Sequence, residues 1–86
     1  MHITRATNTK YTLLNALISD DGSLSTTFAV EVDGVIQFTT SLVIPQSSVP
    51  TILDVTITDG KTIREKLTES ICNYFIETGQ ILGTLE

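Results

Sequence analysis

The chain has no tryptophan, one cysteine, one histidine and only five basic residues in 86. The lone Cys72 excludes an intramolecular disulfide, so the fold must rest on its apolar core, and the chain suits a reducing compartment. His2 is the only imidazole, so a Cys/His nucleophile pair would need Cys72 brought to the N-terminus. The cations, Arg5, Lys10, Lys61, Arg64 and Lys66, face ten acids and leave a formal charge of −5. A phosphate backbone is held by many cations, so no direct nucleic-acid binding is expected. A basic protein surface is the partner that such a charge admits. No stretch approaches the ~20 apolar residues of a membrane span, and residues 1–7 lack the apolar segment of a signal peptide. The expectation is a soluble protein without a membrane partner, cytoplasmic or packaged in a virion. The five glycines sit at turns and ends, in no pattern that would cradle phosphate.

Apolar residues form 41% of the chain, enough for one small core, and a single domain over 1–86 is expected. A chain this short buries only about 60–65% of its unfolded surface, so its stability is modest. Threonine is heavily used, with fifteen copies, mostly in strand-like runs. Threonine is a good strand former, and a neutral, hydroxyl-rich face also suits packing against another protein.

Residues 27–44 read as the central hairpin, folded at Asp33-Gly34. The flanks are β-branched and aromatic, and Asp-Gly supplies the positive φ of a tight turn. A two-residue loop would pair Val32 with Val35 and mix both faces. A three-residue loop pairs Glu31 with Val35 and Val30 with Ile36, gathering Phe28, Val30, Ile36 and Phe38 on one face. The odd-length loop, closed by Gly34 in a bulge, is therefore expected.

Ile3 could open an edge strand, and Thr7-Asn8-Thr9 reads as a turn. Residues 10–19 fit either a helical stripe or a strand. Asp20-Asp21-Gly22-Ser23 is a turn leading into a strand, which favours a second hairpin. Residues 45–51 read as loop. Residues 52–58 alternate as a half-buried strand, with Leu53, Val55 and Ile57 inward. Asp59-Gly60 then turns into a helix over 62–78. Thr62 and Glu65 have capping-box spacing, and Ile63, Leu67, Ile71, Tyr74 and Phe75 recur on one face. Cys72 and Ile76 widen that face, and Gly79 ends the helix. The tail brings Ile81, Leu82 and Leu85, which should dock as a last strand or onto a neighbour.

The fold expected is α+β: an antiparallel meander of about four strands, with hairpin turns near 20–23 and 32–34 and helix 62–78 on one face. A ferredoxin-like βαββαβ order, with 10–19 helical, is the alternative. Chemistry is sparse. Asp20, Asp21, Asp33 and Asp59 sit at turns, where Asp bonds its local backbone; Asp54 stands out as mid-strand. No calcium-loop spacing occurs. Cys72 reads as a small core hydrophobe. Lys61, Arg64 and Lys66 could meet an anion at the helix start, but Glu65 and Glu69 are interleaved with them. No catalytic residue, metal or cofactor is expected.

The expected function is a non-catalytic protein–protein interaction or assembly module that self-associates, most readily as a homodimer, through Cys72, Phe75, Ile76, Ile81, Leu82 and Leu85. One alternative is an acidic inhibitor occupying a basic site on a nucleic-acid-handling protein, with Asp20, Asp21, Asp33 and Asp54 as candidate contacts. Another is a small-ligand-binding domain, and an enzyme using Asp54 or Cys72 ranks last. As a short, acidic, Thr-rich strand domain with one helix, the chain resembles small bacteriophage accessory or virion proteins. The resemblance is one of composition and implies no site residues.

Overall fold

The structure, a computed structural model, describes residues 2–6, 8–57 and 60–86. Thr7, Thr58 and Asp59, which the turn and strand expectations included, lie outside the described residues. The chain folds as α+β: strands β1 (Ile3–Ala6), β2 (Thr9–Ile18), β3 (Leu24–Val32) and β4 (Val35–Ile44), short helix α1 (Val49–Leu53), long helix α2 (Ile63–Glu77) and strand β5 (Thr84–Leu85). All pairs are antiparallel, in the order β4-β3-β2-β1-β5. Residues 10–18 are strand, as the hairpin context favours, and Ser19 opens the turn, so the ferredoxin-like order is excluded. The tail supplies the last strand, pairing Leu85 with Ile3.

Both hairpin turns are where Asp and Gly place them, but the odd-length loop expected at Asp33-Gly34 does not form. The Asp33-Gly34 loop has two residues, with Val32 opposite Val35 and Glu31 opposite Ile36. Asp33 and Gly34 both have positive φ, 54° and 82°, as a two-residue primed turn requires. The extra residue sits instead in the ladder. Gln37 bulges, and from Val30↔Phe38 onward the register is shifted by one. Phe38 thus shares the core face with Phe28 and Val30, while Ile36, opposite Glu31, falls on the other face. The three-residue loop is the other one: Gly22 N donates to Ser19 O at 2.9 Å, Ser19 N to Ser23 O at 2.8 Å, and Gly22 (φ 86°) closes the turn. Asp21 accepts from Ser23 N and Oγ at 2.9 and 2.6 Å, which lowers its pKa through the side-chain bond first.

No strand forms over 52–57. Ile52 and Leu53 end α1, and 54–57 run without regular structure. Pro50 lies in the first turn of α1, where its missing N–H costs nothing. Val49 and Ile52, three apart, then share a helical face and are buried. Core contact through that pair outweighs the alternation of Leu53, Val55 and Ile57, of which Leu53 and Ile57 are exposed. Ser70 Oγ donates to Ile52 O at 2.8 Å and ties α1 to α2.

α2 begins with both halves of the capping box: Glu65 N donates to Thr62 Oγ1, and Thr62 N to Glu65 Oε1, each at 3.2 Å. It ends at Thr78, where Gly79 N donates to Ile76 O and Gln80 N to Phe75 O, the paired bonds of a Schellman turn. That turn sends Ile81 back into the core. The core lies on one face of the sheet, where Ile3, Leu24, Phe28 and Ile44 meet Ile71, Cys72 and Phe75 of α2, Val49 and Ile52 of α1, and Ile81. Phe75 meets Phe28 edge to face, with ring centroids 5.7 Å apart. Thr26 is buried among them, its Oγ1 donating to Leu42 O at 2.8 Å.

Truncation at the centre of this contact should cost far more than loss of the cap. Phe75→Ala is expected to lower stability by about 3–5 kcal/mol and Thr62→Ala by about 1 kcal/mol in urea unfolding. Comparable losses from the two would contradict the packing described.

Candidate functional site

Sheet topology leaves β4 at an edge. After Ile44 the chain turns at Pro45 toward the helical layer, so among the described residues no strand returns to pair with the outer side of β4. β4 carries no charged residue, no Gly and no Pro over its ten positions. Four of its apolar side chains are more than half exposed: Val35, Ile36, Phe38 and Val43, at 59, 64, 55 and 52%. Phe38 is on the core face but outside the buried cluster; Ile36 and Val43 are on the open face. That face, which no helix covers, also presents Thr12, Ser25, Thr27, Thr39 and Ser41.

The opposite edge is built differently. β5 has two residues, and His2 and Glu86 extend its pairing with β1 through two backbone bonds of 3.0 and 2.9 Å. Thr4 Oγ1 donates to Glu86 Oε2 at 2.7 Å, and this bond, with His2 3.3 Å away, holds the carboxyl below its usual range. Natural sheets blunt their edges with short strands and charge; the β5 edge has both, while β4 has only its bulge.

A second feature is an apolar groove of about 520 Å³ between the far end of β2 and the first half of α2. Leu14, Ile18, Leu53 and Ile63 are exposed along it, with Leu67 and Ile71 behind. Leu14 is the extra residue of a second bulge, between Leu13↔Phe28 and Asn15↔Thr27; bulges re-aim side chains in this way. A groove of about 560 Å³ between α1 and α2 is polar, with Lys66, Glu69 and Asn73 along it. There Glu69 binds Lys61 at 2.7 Å and Lys66 at 3.7 Å, and the Lys61 bond foremost lowers its pKa. Two of the three cations at the helix start are thus turned to one carboxylate of the same helix.

The residues expected to carry self-association divide. Cys72, Phe75 and Ile81 are fully used by this chain's own core, with Ile76 and Leu85 packed against it. Leu82 is exposed. The C-terminal half of the apolar arc of α2 therefore closes within one chain, while Ile63 in its first turn stays exposed. The acidic candidates are dispersed: Asp20 and Asp21 lie at one end of β3 and Asp33 at the other, about 30 Å apart for a nine-residue strand. Asp54 is exposed at the C-terminus of α1 and is not mid-strand. Among the described residues no group of three His, Cys, Asp or Glu is placed to hold a metal ion, and no helix is long and apolar enough to cross a membrane. The exposed apolar residues of β4 and of the groove were not singled out by sequence reasoning. The uncharged run 35–44 was the available signal, but the expected register had turned Ile36 and Phe38 inward. Searches against protein-family models, curated proteins and solved structures found no match.

Burial pushes the Cys72 thiol from an ordinary 9.0 up to about 11. A raised folded pKa means that the neutral thiol's contribution is fully present below pH 9 and is lost as pH rises toward 11. The stability difference between wild type and Cys72→Ala, from urea unfolding at each pH, should move against wild type across that window. At about pH 8 iodoacetamide should label Cys72 only in unfolded protein. A flat difference curve together with rapid native labelling would place the thiol outside the core.

Proposed function

We propose that this protein is a small non-catalytic interaction and assembly module that self-associates as a homodimer, in the cytoplasm or a virion. The observation that carries the reading is the set of exposed apolar side chains on β4, an uncharged edge strand whose outer side pairs with no strand among the described residues, on a chain of net charge −5. Exposed apolar side chains beside unmet backbone groups at a sheet edge are a template for contact with another chain. The acidic-inhibitor alternative draws less support, because Asp20 and Asp21 lie a strand's length from Asp33. Size-exclusion chromatography with light scattering tests the reading. A mass about twice 9.4 kDa, retained at high salt because apolar contact is not screened, is expected. A monomer at every concentration would sink it.

The apolar groove supports a second reading, a site for a small apolar ligand. An apolar dye such as anilinonaphthalene sulfonate should fluoresce on the native protein and raise its Tm. Ile63→Asp should abolish both effects while sparing the helix, since an acid in the first turn suits the helix dipole. Unchanged fluorescence in that variant would exclude the groove.

A further inference from the structure

We propose that two copies of the chain join β4 to β4 about a twofold axis normal to the sheet, with Ser41 on the axis, forming one ten-stranded antiparallel sheet. The inference rests on the self-association reading and specifies its surface.

Three constraints lead to this register. First, an unpaired strand presents a row of N–H and C=O groups whose natural partner is another strand. Of the two sheet edges, only β4 is long and uncharged. Second, the usable run is bounded: Gln37 bulges at one side and Pro45 ends the strand at the other, leaving Phe38–Ile44. A twofold pairing that uses all seven residues must centre on Ser41. It sets Phe38 opposite Ile44 of the second copy, Thr39 opposite Val43 and Thr40 opposite Leu42. Third, directly opposed residues share a face. Phe38, Thr40, Leu42 and Ile44 all lie on the core face and Thr39, Ser41 and Val43 on the open face. The register therefore continues the core face of one copy into that of the next. A shift by one residue would set core-face residues opposite open-face ones.

The occupant is a second copy because the strand is complementary to itself. Phe38, half exposed at the margin of its own core, gains the partly buried Leu42 of the other copy as a diagonal neighbour, while Ile44 opposite it is already fully buried in its own copy. Val43 gains the Thr39 methyl group, and the two Ser41 hydroxyls meet across the axis. No carboxylate lies within Phe38–Ile44, although the molecule as a whole is acidic. The nearest in sequence, Asp33, lies beyond the bulge. Mutual repulsion is thus weakest where the strands would meet.

Ser41 is exposed, so it can be replaced without disturbing the core. Ser41→Lys sets two like charges opposite each other and should give the monomer mass where wild type is dimeric, with an unchanged circular dichroism spectrum. Cross-strand Cα distances of about 4.5–5.5 Å fall within disulfide range. Ser41→Cys should therefore form a covalent dimer under mild oxidation, whereas Leu17→Cys, exposed on an interior strand, should not. If Ser41→Lys keeps the dimer mass and Ser41→Cys does not cross-link, the copies meet elsewhere: the register falls and self-association stands. If wild type is monomeric and Ser41→Cys stays uncrosslinked, both fall, and a strand from a different protein becomes the occupant to seek.

Discussion

The edge-to-face contact of Phe28 with Phe75 is the point from which the rest of the molecule is placed. Phe28 stands at the middle of the central hairpin and Phe75 three turns into α2. Both are fully buried, and Tyr74 adds a second ring contact to Phe75 at 5.4 Å. Holding α2 here brings Cys72 and Ile71 into one buried cluster with Ile3 and Leu24. It also puts the helix end where the Schellman turn can return Ile81 beneath Phe75, which brings Leu85 to the edge of β1. The contact thus fixes the helix against the sheet and, through the turn, fixes the last strand.

The same contact explains what stays uncovered. An α-helix with its side chains is about 10–12 Å wide, whereas five strands at about 4.8 Å spacing span about 20 Å. One helix that runs toward β5 cannot also reach the β4 margin. α1 fills part of the gap near Ile44 by inserting Val49 and Ile52. The rest of β4, and the end of β2 beyond Leu13, lie outside the covered strip. The exposed residues of the edge and of the groove follow from one geometric shortfall.

Features decided by neighbours in sequence were legible in advance. Both turns, the strand assignment of 10–18, the capping box at Thr62 and Glu65 and the stop at Gly79 are local, and each is where residue chemistry puts it. Features decided across the sheet were not. Apolar patterning near Asp33-Gly34 favours an odd loop only where apolar residues must share a buried face. The chain instead keeps the tight turn and corrects its register with a bulge at Gln37. Leu53, Val55 and Ile57 alternate convincingly, but alternation has force only where a sheet edge is available to receive the strand. Here Val49 and Ile52 reach the core first, as one helical turn. The candidate surface was hidden for the same reason, since whether Phe38 is core or margin depends on the width of the helix that covers it.

An edge like β4 is a hazard unless something occupies it, and the energetic terms of pairing show how finely such a strand is poised. Covering the exposed parts of Phe38 and Val43 on two copies is worth about 1–2 kcal/mol each, or roughly 4–8 kcal/mol in all. About six to eight backbone bonds at a net ~1 kcal/mol each bring a comparable amount. Against this stands an association cost of about 4–15 kcal/mol. Neither the apolar nor the backbone contribution alone exceeds the upper part of that range; together they match it. A strand in this balance is governed by its charge, because a single buried or self-opposed ion outweighs the surplus. The molecule carries ten acids, and none falls on the ten residues of β4. Placing even one there would have been the simplest protection of a monomer.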